Sequence, residues 1–309
     1  MIDLPRGTLR IGTRGSPLAV TQTGWVADRL RERWPGLEVE IRRIKTSGDR
    51  LVGPLQAAGG KGLFTKEIEE ALLAGDVDAG VHSLKDLPAN LGGGLAIAAV
   101  PVREDARDVL ISGSRGGIDG LAHGARVGTG SLRRQALLRH FRPDLDVVGL
   151  RGNVDTRLRR WRDGELDAVV LARAGLRRLG LDVPEAEPLP PEDFVPAIGQ
   201  GALAIEAAPE NGWWEVLHAI DDDTTARAVE AERAFLATVG GDCRTPIAAH
   251  AVVVDGDVAL RALVASPDGR RLIRGERAGA VAVAGRLGEE LARDLLDRGG
   301  REILAELAP

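Results

Sequence analysis

Residues 9–44, LRIGTRGSPLAVTQTGWVADRLRERWPGLEVEIRRI, decide the fold class. LRIGT is a short apolar run of strand character. Ser16 followed by Pro17 then supplies an N-cap and a proline at the first helical position. The helix so begun runs to Pro35-Gly36, and EVEIRRI places Val39 and Ile41 on one face of a second strand. Strand, helix, strand in that order is the pattern of a sheet flanked by helices.

The same alternation extends outward. Thr65 is placed to cap a helix in which Ile68, Leu72 and Leu73 recur up to Gly75, and VDAGVHSL (77–84) and LAIAAV (95–100) add short apolar segments. The first hundred residues therefore read as a largely parallel sheet with helices on it. After Pro101 the pattern restarts: ARVGT, a helix over 131–140, DVVGL, a helix over 153–162, and DAVVLA. PEAEPLPPEDFVPAIGQG (184–201) is rich in proline and polar residues, which suits a chain crossing back between domains, and the apolar GALAIEA follows it. From Asp223 a helix passes through Val229, Arg233 and Leu236 to Gly240-Gly241. PIAAHAVVV, VALRALV and RRLIRGE are then joined by Asp255-Gly256 and Asp268-Gly269, both hairpin signals, so they form an antiparallel meander. A helical tail over 283–307 carries Leu287, Leu291 and Leu295 on one stripe. The expected fold class is α/β, with domain 1 at 1–101 plus 199–219, domain 2 at 102–198, and a smaller α+β domain 3 at 220–309.

Composition narrows the functional classes. A chain of 309 residues exceeds what one core usually supports. With 44% hydrophobic and 28% charged residues, and mean hydropathy near zero, it has the profile of a globular protein in water. No apolar run reaches the roughly 20 residues that span a bilayer, and MIDLPRGTLR lacks the order of a signal segment, so a cytoplasmic, membrane-free protein is expected. The single cysteine, Cys243, excludes an intramolecular disulfide and a multi-thiolate zinc site, and no metal is expected. Net charge is -5, yet residues 131–162 hold nine arginines against three aspartates. Nucleic acid is a poor explanation for that basic segment, because aromatic residues for base stacking are scarce and tyrosine is absent.

Anions sit readily at helix N-termini, where N–H groups are unpaired. GTRGSP puts Arg14 and Ser16 at one such start. GTGSLRR puts Thr129, Ser131, Arg133 and Arg134 at another, and RGNVDTR adds Arg151 and Arg157. A guanidinium grips a carboxylate through two parallel N–H bonds, so arginine repeated at strand-to-helix turns points to several carboxylates bound at once. Periodicity alone leaves Arg159, Arg160 and Arg162 open to being a solvated face. GGKGLFTKE has Lys61 on a glycine-rich loop but lacks phosphate-loop spacing, so a mobile loop closing Lys61 over an anion is the simpler reading. In VHSLKDLP, Ser83, Lys85 and Asp86 follow a short strand. The lysine favours an anionic aspartate, ready to stabilise a cation or shuttle a proton, and an ordinary exposed ion pair is the alternative. Cys243, in GGDCRTP, is either a small buried hydrophobe or, on so sharp a turn beside Arg244, a thiol open to alkylation. A cysteine-nucleophile hydrolase finds no support, since His82, His123, His140, His218 and His250 sit in no nucleophile-base signature.

IGTRGSPLA, GGKGLFTKE, VHSLKDLP, VGTGSLRRQ, LRGNVDTRL, PAIGQGALAIE and GGDCRTPI occur in the order seen in the porphobilinogen deaminases, which the chain resembles over essentially its whole length. The resemblance implies two α/β domains of the periplasmic-binding-protein type plus the C-terminal α+β domain. It implies a transferase that condenses four porphobilinogen molecules head to tail and releases hydroxymethylbilane by hydrolysis, and a monomer. It implies a dipyrromethane cofactor in thioether linkage to Cys243 and Asp86 as the catalytic carboxylate, stabilising the substrate cation and shuttling protons. Ser83, Lys85, Thr129, Ser131, Arg133, Arg134 and Arg157 fall on cofactor-binding positions. Arg14, Ser16 and Arg151 fall on substrate positions, and Lys61 and Phe64 match a loop over the site. Three positions depart from the pattern: Gly130 for a second serine, Asp242 for a glycine, and Leu84 for a methionine. A non-catalytic polycarboxylate-binding module of the same architecture is the competing reading, and it needs neither Cys243 nor Asp86.

Overall fold

The computed structural model describes residues 4–50, 62–241 and 245–307; Lys61, Asp242 and Cys243 lie outside these. In chain order the elements begin with β1 (Leu9–Arg14), α1 (Pro17–Arg33), β2 (Val39–Ile44), α2 (Ser47–Arg50), α3 (Lys66–Leu73), β3 (Ala79–Ser83) and β4 (Ala96–Ala99). Next come β5 (Asp108–Ser112), β6 (Arg126–Gly128), α4 (Leu132–Phe141), β7 (Asp146–Val148), α5 (Val154–Arg162), β8 (Ala168–Ala172), α6 (Arg173–Arg178) and β9 (Ala186–Pro188). The chain continues with β10 (Leu203–Ala207), α7 (Trp214–His218), α8 (Asp223–Val239), β11 (Ile247–Val254), β12 (Asp257–Ala265), β13 (Leu272–Ala280), α9 (Ala284–Leu295) and α10 (Arg301–Ala305).

The chain divides into two compact units, residues 1–104 with 202–226, and residues 105–201 with 227–309. Unit 1 holds a five-stranded sheet in the order β2-β1-β3-β10-β4. The β1–β2 and β1–β3 pairings are parallel, as helix-linked strands require. The expected largely parallel sheet is nevertheless mixed, because β10 runs antiparallel to both β3 and β4. That strand arrives from the far end of the second segment with no helix to turn it round, so local alternation carries no signal of its direction. Unit 2 repeats the plan in the order β7-β6-β8-β5-β9, again with two parallel pairings and two antiparallel ones through β5. In each sheet the antiparallel inner strand is the first one after the chain enters that unit, β5 in one and β10 in the other.

A three-stranded antiparallel sheet, β11-β12-β13, completes unit 2. Its first hairpin turns at Asp255 (φ 52°) and Gly256 (φ 84°), the left-handed pair that a two-residue hairpin needs. Leu110 and Val127 of the larger sheet share one buried cluster with Ala248 and Leu263 of the smaller. α9 lays Leu287, Leu291 and Leu295 onto β13, where Gly275 and Gly279 leave room for them. The expected continuous tail helix breaks at Gly299 (φ 109°), and α10 follows.

Two local expectations shift. Leu73 is 58% exposed, since on α3 only Ile68 and Leu72 face the sheet. Thr65 precedes α3 without capping it: its backbone lies at φ -122°, ψ -32°, outside the extended region of a capping residue, and its enclosed hydroxyl makes no hydrogen bond among the described residues.

Candidate active site

In unit 1 the candidate residues gather at the ends of β1 and β3. Ser16 caps α1, its Oγ accepting from Ala19 N at 3.3 Å, which fixes the turn that carries Arg14. The Arg14 guanidinium lies 4.1 Å from the centre of the Phe64 ring, a cation–π contact. Phe64 in turn packs on the bare backbone of Gly48, where any Cβ would collide with the ring. Gly48 N donates to Leu63 O at 2.7 Å, and Ser47 donates through N (2.7 Å) and Oγ to Glu67 Oε1, so the flanking backbone is fastened to the start of α3.

β3 ends in a single 3-10 turn, Leu84–Asp86. Leu84 is buried and takes the place the family pattern gives to methionine. Its N donates to Ala202 O at 3.0 Å, and Leu87 N closes the turn on Leu84 O. Ser83 Oγ donates to Gln22 Oε1 on α1 at 3.1 Å. The outcome is one cavity bordered by Arg14, Ser16, Phe64, Ser83 and Asp86, residues up to 72 positions apart in sequence. Lys85 is half-buried in the same turn but does not border that cavity. Gln22, Thr65 and His82 do border it and were not read from sequence. Gln22 had a signal, a polar residue on the inward face of a helix whose neighbours there are Val26 and Leu30.

In unit 2 the turn after β6 is laced to the one after β7: Thr129 N donates to Val148 O (3.0 Å) and Leu150 N to Thr129 O (3.2 Å). Ser131 caps α4, accepting from Arg134 N. A Cβ at Gly130 would lie 2.6 Å from Leu150 O, so glycine suits this close approach and a serine would require the backbone to move. Asn153 caps α5, and Arg157 Nε donates to Gly152 O at 2.8 Å.

Arg133 and Arg134 turn inward and are buried, at 3% and 5% exposure. Arg134 donates from Nε (3.0 Å) and Nη2 (2.7 Å) to Asp108 Oδ1 and from Nη1 to Val170 O. Arg133 Nη1 lies 2.8 Å from Asp108 Oδ2 and donates to Val195 O, and Gln200 Nε2 adds a bond of 2.8 Å to Asp108. Burial pushes the Asp108 carboxyl up, but the two guanidiniums more than reverse this and hold it well below the usual carboxylate range. Burial pulls Arg133 down. Two guanidiniums against one carboxylate leave an excess positive charge. Among the described residues Arg133 Nε and Arg151 Nη2 are enclosed with no hydrogen-bond partner; Arg133 is sealed against Asp108, whereas Arg151, at the turn before α5, fits a carboxylated group. Among the described residues no cluster of three or more potential ligands fits a metal ion, and no helix is long and apolar enough to cross a membrane.

The inward pairing carries a stability prediction. Asp108→Ala leaves two buried cations without their anion, which costs about 3–5 kcal/mol and lowers the melting temperature by roughly 10 °C. Because the folded carboxyl is held low, its contribution is present above the unfolded value near 3.9 and is lost only as pH falls through the depressed folded value. Thermal melts of the wild type and the variant from neutral to acidic pH measure both effects. An Asp108→Ala protein melting like wild type would contradict the pairing.

Family models match both parts of the chain: "Porphobilinogen deaminase, dipyromethane cofactor binding domain" over residues 9–213, and "Porphobilinogen deaminase, C-terminal domain" over residues 226–297. A porphobilinogen deaminase of Syntrophus aciditrophicus (strain SB) is 52% identical over 301 residues, spanning 97% of this chain and 98% of that protein. One from Syntrophobacter fumaroxidans (strain DSM 10017 / MPOB) is 50% identical over 301 residues, 97% of each. Among solved structures, an arginine-specific periplasmic binding protein of Salmonella typhimurium overlaps 71% of this chain and 93% of its own at 16% identity and a TM-score of 0.41. By sequence over nearly its full length, this chain belongs to the porphobilinogen deaminase family.

Proposed function

We propose that the chain performs the family's reaction, head-to-tail condensation of four porphobilinogen molecules to hydroxymethylbilane, with the unit 1 cavity as the place of chemistry. The observation that carries this reading is the meeting of Arg14, Ser16, Phe64, Ser83 and Asp86 around one cavity. The dipyrromethane, when attached at Cys243, supplies the free pyrrole carbon to which units are added.

Loss of ammonia turns porphobilinogen into a methylene-pyrrolenine cation. Asp86, on a turn pinned through Leu84, gives up a proton to the departing amine and then, as an anion, faces that cation and the pyrrole N–H. A preorganised charge of this kind needs no reorganisation as the cation forms. Arg14 holds a substrate carboxylate, with Phe64 stacked on its guanidinium to limit its orientations. Arg151 and Arg157, with Thr129 and Ser131, hold acetate and propionate groups, and each pyrrole brings two, while Arg133 and Arg134, paired inward with Asp108, anchor the start of α4. Ser83 and Lys85 contribute polar contacts beside Asp86. The enzyme acts as a cytoplasmic monomer without nucleic acid, in keeping with an arginine set suited to carboxylates and a lack of stacking aromatics.

Incubation of the purified chain with porphobilinogen tests the reading. Ammonia and a linear tetrapyrrole are expected, one tetrapyrrole for four substrates. No product from a chain whose mass includes the dipyrrole would overturn it.

A further inference from the structure

His82 and Glu206 form a pair that the reading above does not use. His82, on β3, borders the same cavity as Asp86, while its Nε2 lies 3.1 Å from Glu206 Oε2 on β10. Their side chains are 3% and 0% exposed. Neither Glu206 oxygen, nor Nε2, makes a hydrogen bond among the described residues, so the 3.1 Å approach is an ion-pair contact between two enclosed groups. The antiparallel register pairs Glu206 with Gly80 and Ala204 with His82, which sets the carboxylate diagonally against the ring. Gly80 makes the arrangement possible, for a Cβ there would lie 2.9 Å from His82 Nε2 and 2.8 Å from Ile68.

A buried carboxylate without a proton nearby is costly, so the proton of the neutral ring belongs on Nε2, on the side facing Glu206. Nδ1 is then the basic nitrogen, and the carboxylate behind the ring fixes tautomer and orientation, as in other carboxylate-oriented imidazoles. The charged residues that border the cavity with His82 are Arg14 from β1 and Asp86 from the turn, and Glu206 lies beside its Nε2.

We propose that His82, positioned by Glu206, is a second proton-transfer group of this site. The proposal rests on the reading of Asp86 above and deepens it. In each cycle Asp86 gives a proton to the amine, which leaves as ammonia. The new carbon–carbon bond then forms, and the attacked pyrrole carbon must lose its hydrogen. His82 Nδ1 takes that proton as the C–H electrons return to the ring, and passes it to the Asp86 carboxylate. The acid is thereby restored for the next amine, and protons balance with no outside reagent.

The test uses cofactor-loaded protein, with loading checked by intact mass, and porphobilinogen carrying hydrogen or deuterium at its free α-carbon. His82→Gln is expected to lower kcat by about 100-fold with KM and loading unchanged. The deuterium isotope effect on kcat rises above that of wild type, since C–H cleavage becomes limiting. Glu206→Gln, nearly isosteric, lowers kcat by about tenfold and raises the isotope effect in the same direction. It carries both readouts should His82→Gln fail to accumulate. Wild-type kcat in loaded variants, or slow turnover with no rise in the isotope effect, overturns the proposal. Asp86→Asn serves as the separate control: full activity there sinks the site reading itself, whatever the His82 variants do.

Discussion

Asp86→Ala is expected to leave the dipyrrole attached and the melting temperature close to wild type while kcat falls by about 1000-fold or more. Stability should survive because the turn is held by Leu84 and Leu87, through backbone bonds to Ala202 and Leu84, while the Asp86 side chain makes no hydrogen bond or ion pair among the described residues. Its carboxylate is held in place by backbone and is free to act on a ligand. Removing it takes away both the charge facing the substrate cation and the proton for the amine. The effect should therefore appear in kcat, with KM little changed, since Arg14 and the other carboxylate-binding groups remain. Steady-state kinetics on protein of verified mass measure this, and turnover within tenfold of wild type would remove Asp86 from its assigned role.

Cys243→Ala should abolish activity by a different route. The substitution falls between α8 and β11, outside the described residues, but the framework on either side does not depend on a thiol. Buried Glu232 on α8 accepts from Gly199 N at 2.7 Å and from Ala251 N on β11 at 2.8 Å, and Ile247 is buried at the start of that strand. Folding should thus change by less than about 1 kcal/mol. Without the thioether there is no anchored pyrrole to extend, so the variant should show the bare sequence mass and no turnover. A dipyrrole still covalently bound to Cys243→Ala would assign the attachment elsewhere. In sequence, an acid, Asp242, directly precedes this cysteine where the family pattern has glycine.

Much of the fold was legible because it is written in short-range chemistry. Ser16 caps its helix through the side chain as its place before Pro17 indicates, and Ser131 and Asn153, expected as the first residues of their helices, cap them in the same way. The Asp-Gly pair at 255–256 produces its hairpin through two positive φ values. β5, by contrast, went unread: it is a five-residue buried strand beginning with an aspartate, and only Arg133 and Arg134, some 25 residues on, explain why that aspartate is tolerated. β9 hid in a proline-rich stretch, which an edge strand accommodates.

The site divides along the same line. Arg14, Ser16, Ser83 and Asp86 were visible because they occupy strand ends next to glycine or a cap, where α/β sheets place ligands. The inward turn of Arg133 and Arg134 was not visible, since a charged residue at a helix start reads equally as facing a ligand or facing an internal anion. The His82–Glu206 pair was further from view. It exists only because β10 inserts beside β3 in an antiparallel register, a pairing across more than 120 residues that no local pattern announces.

The most direct measurement is a crystal structure of the purified, cofactor-loaded protein, read at the Asp86 carboxylate. A pyrrole N–H of the dipyrrole is expected within hydrogen-bond reach of that carboxylate, at about 3 Å, with its acetate and propionate groups on the assigned arginines. A dipyrrole attached to the sulfur but lying away from Asp86, with the carboxylate turned to solvent, would contradict the account.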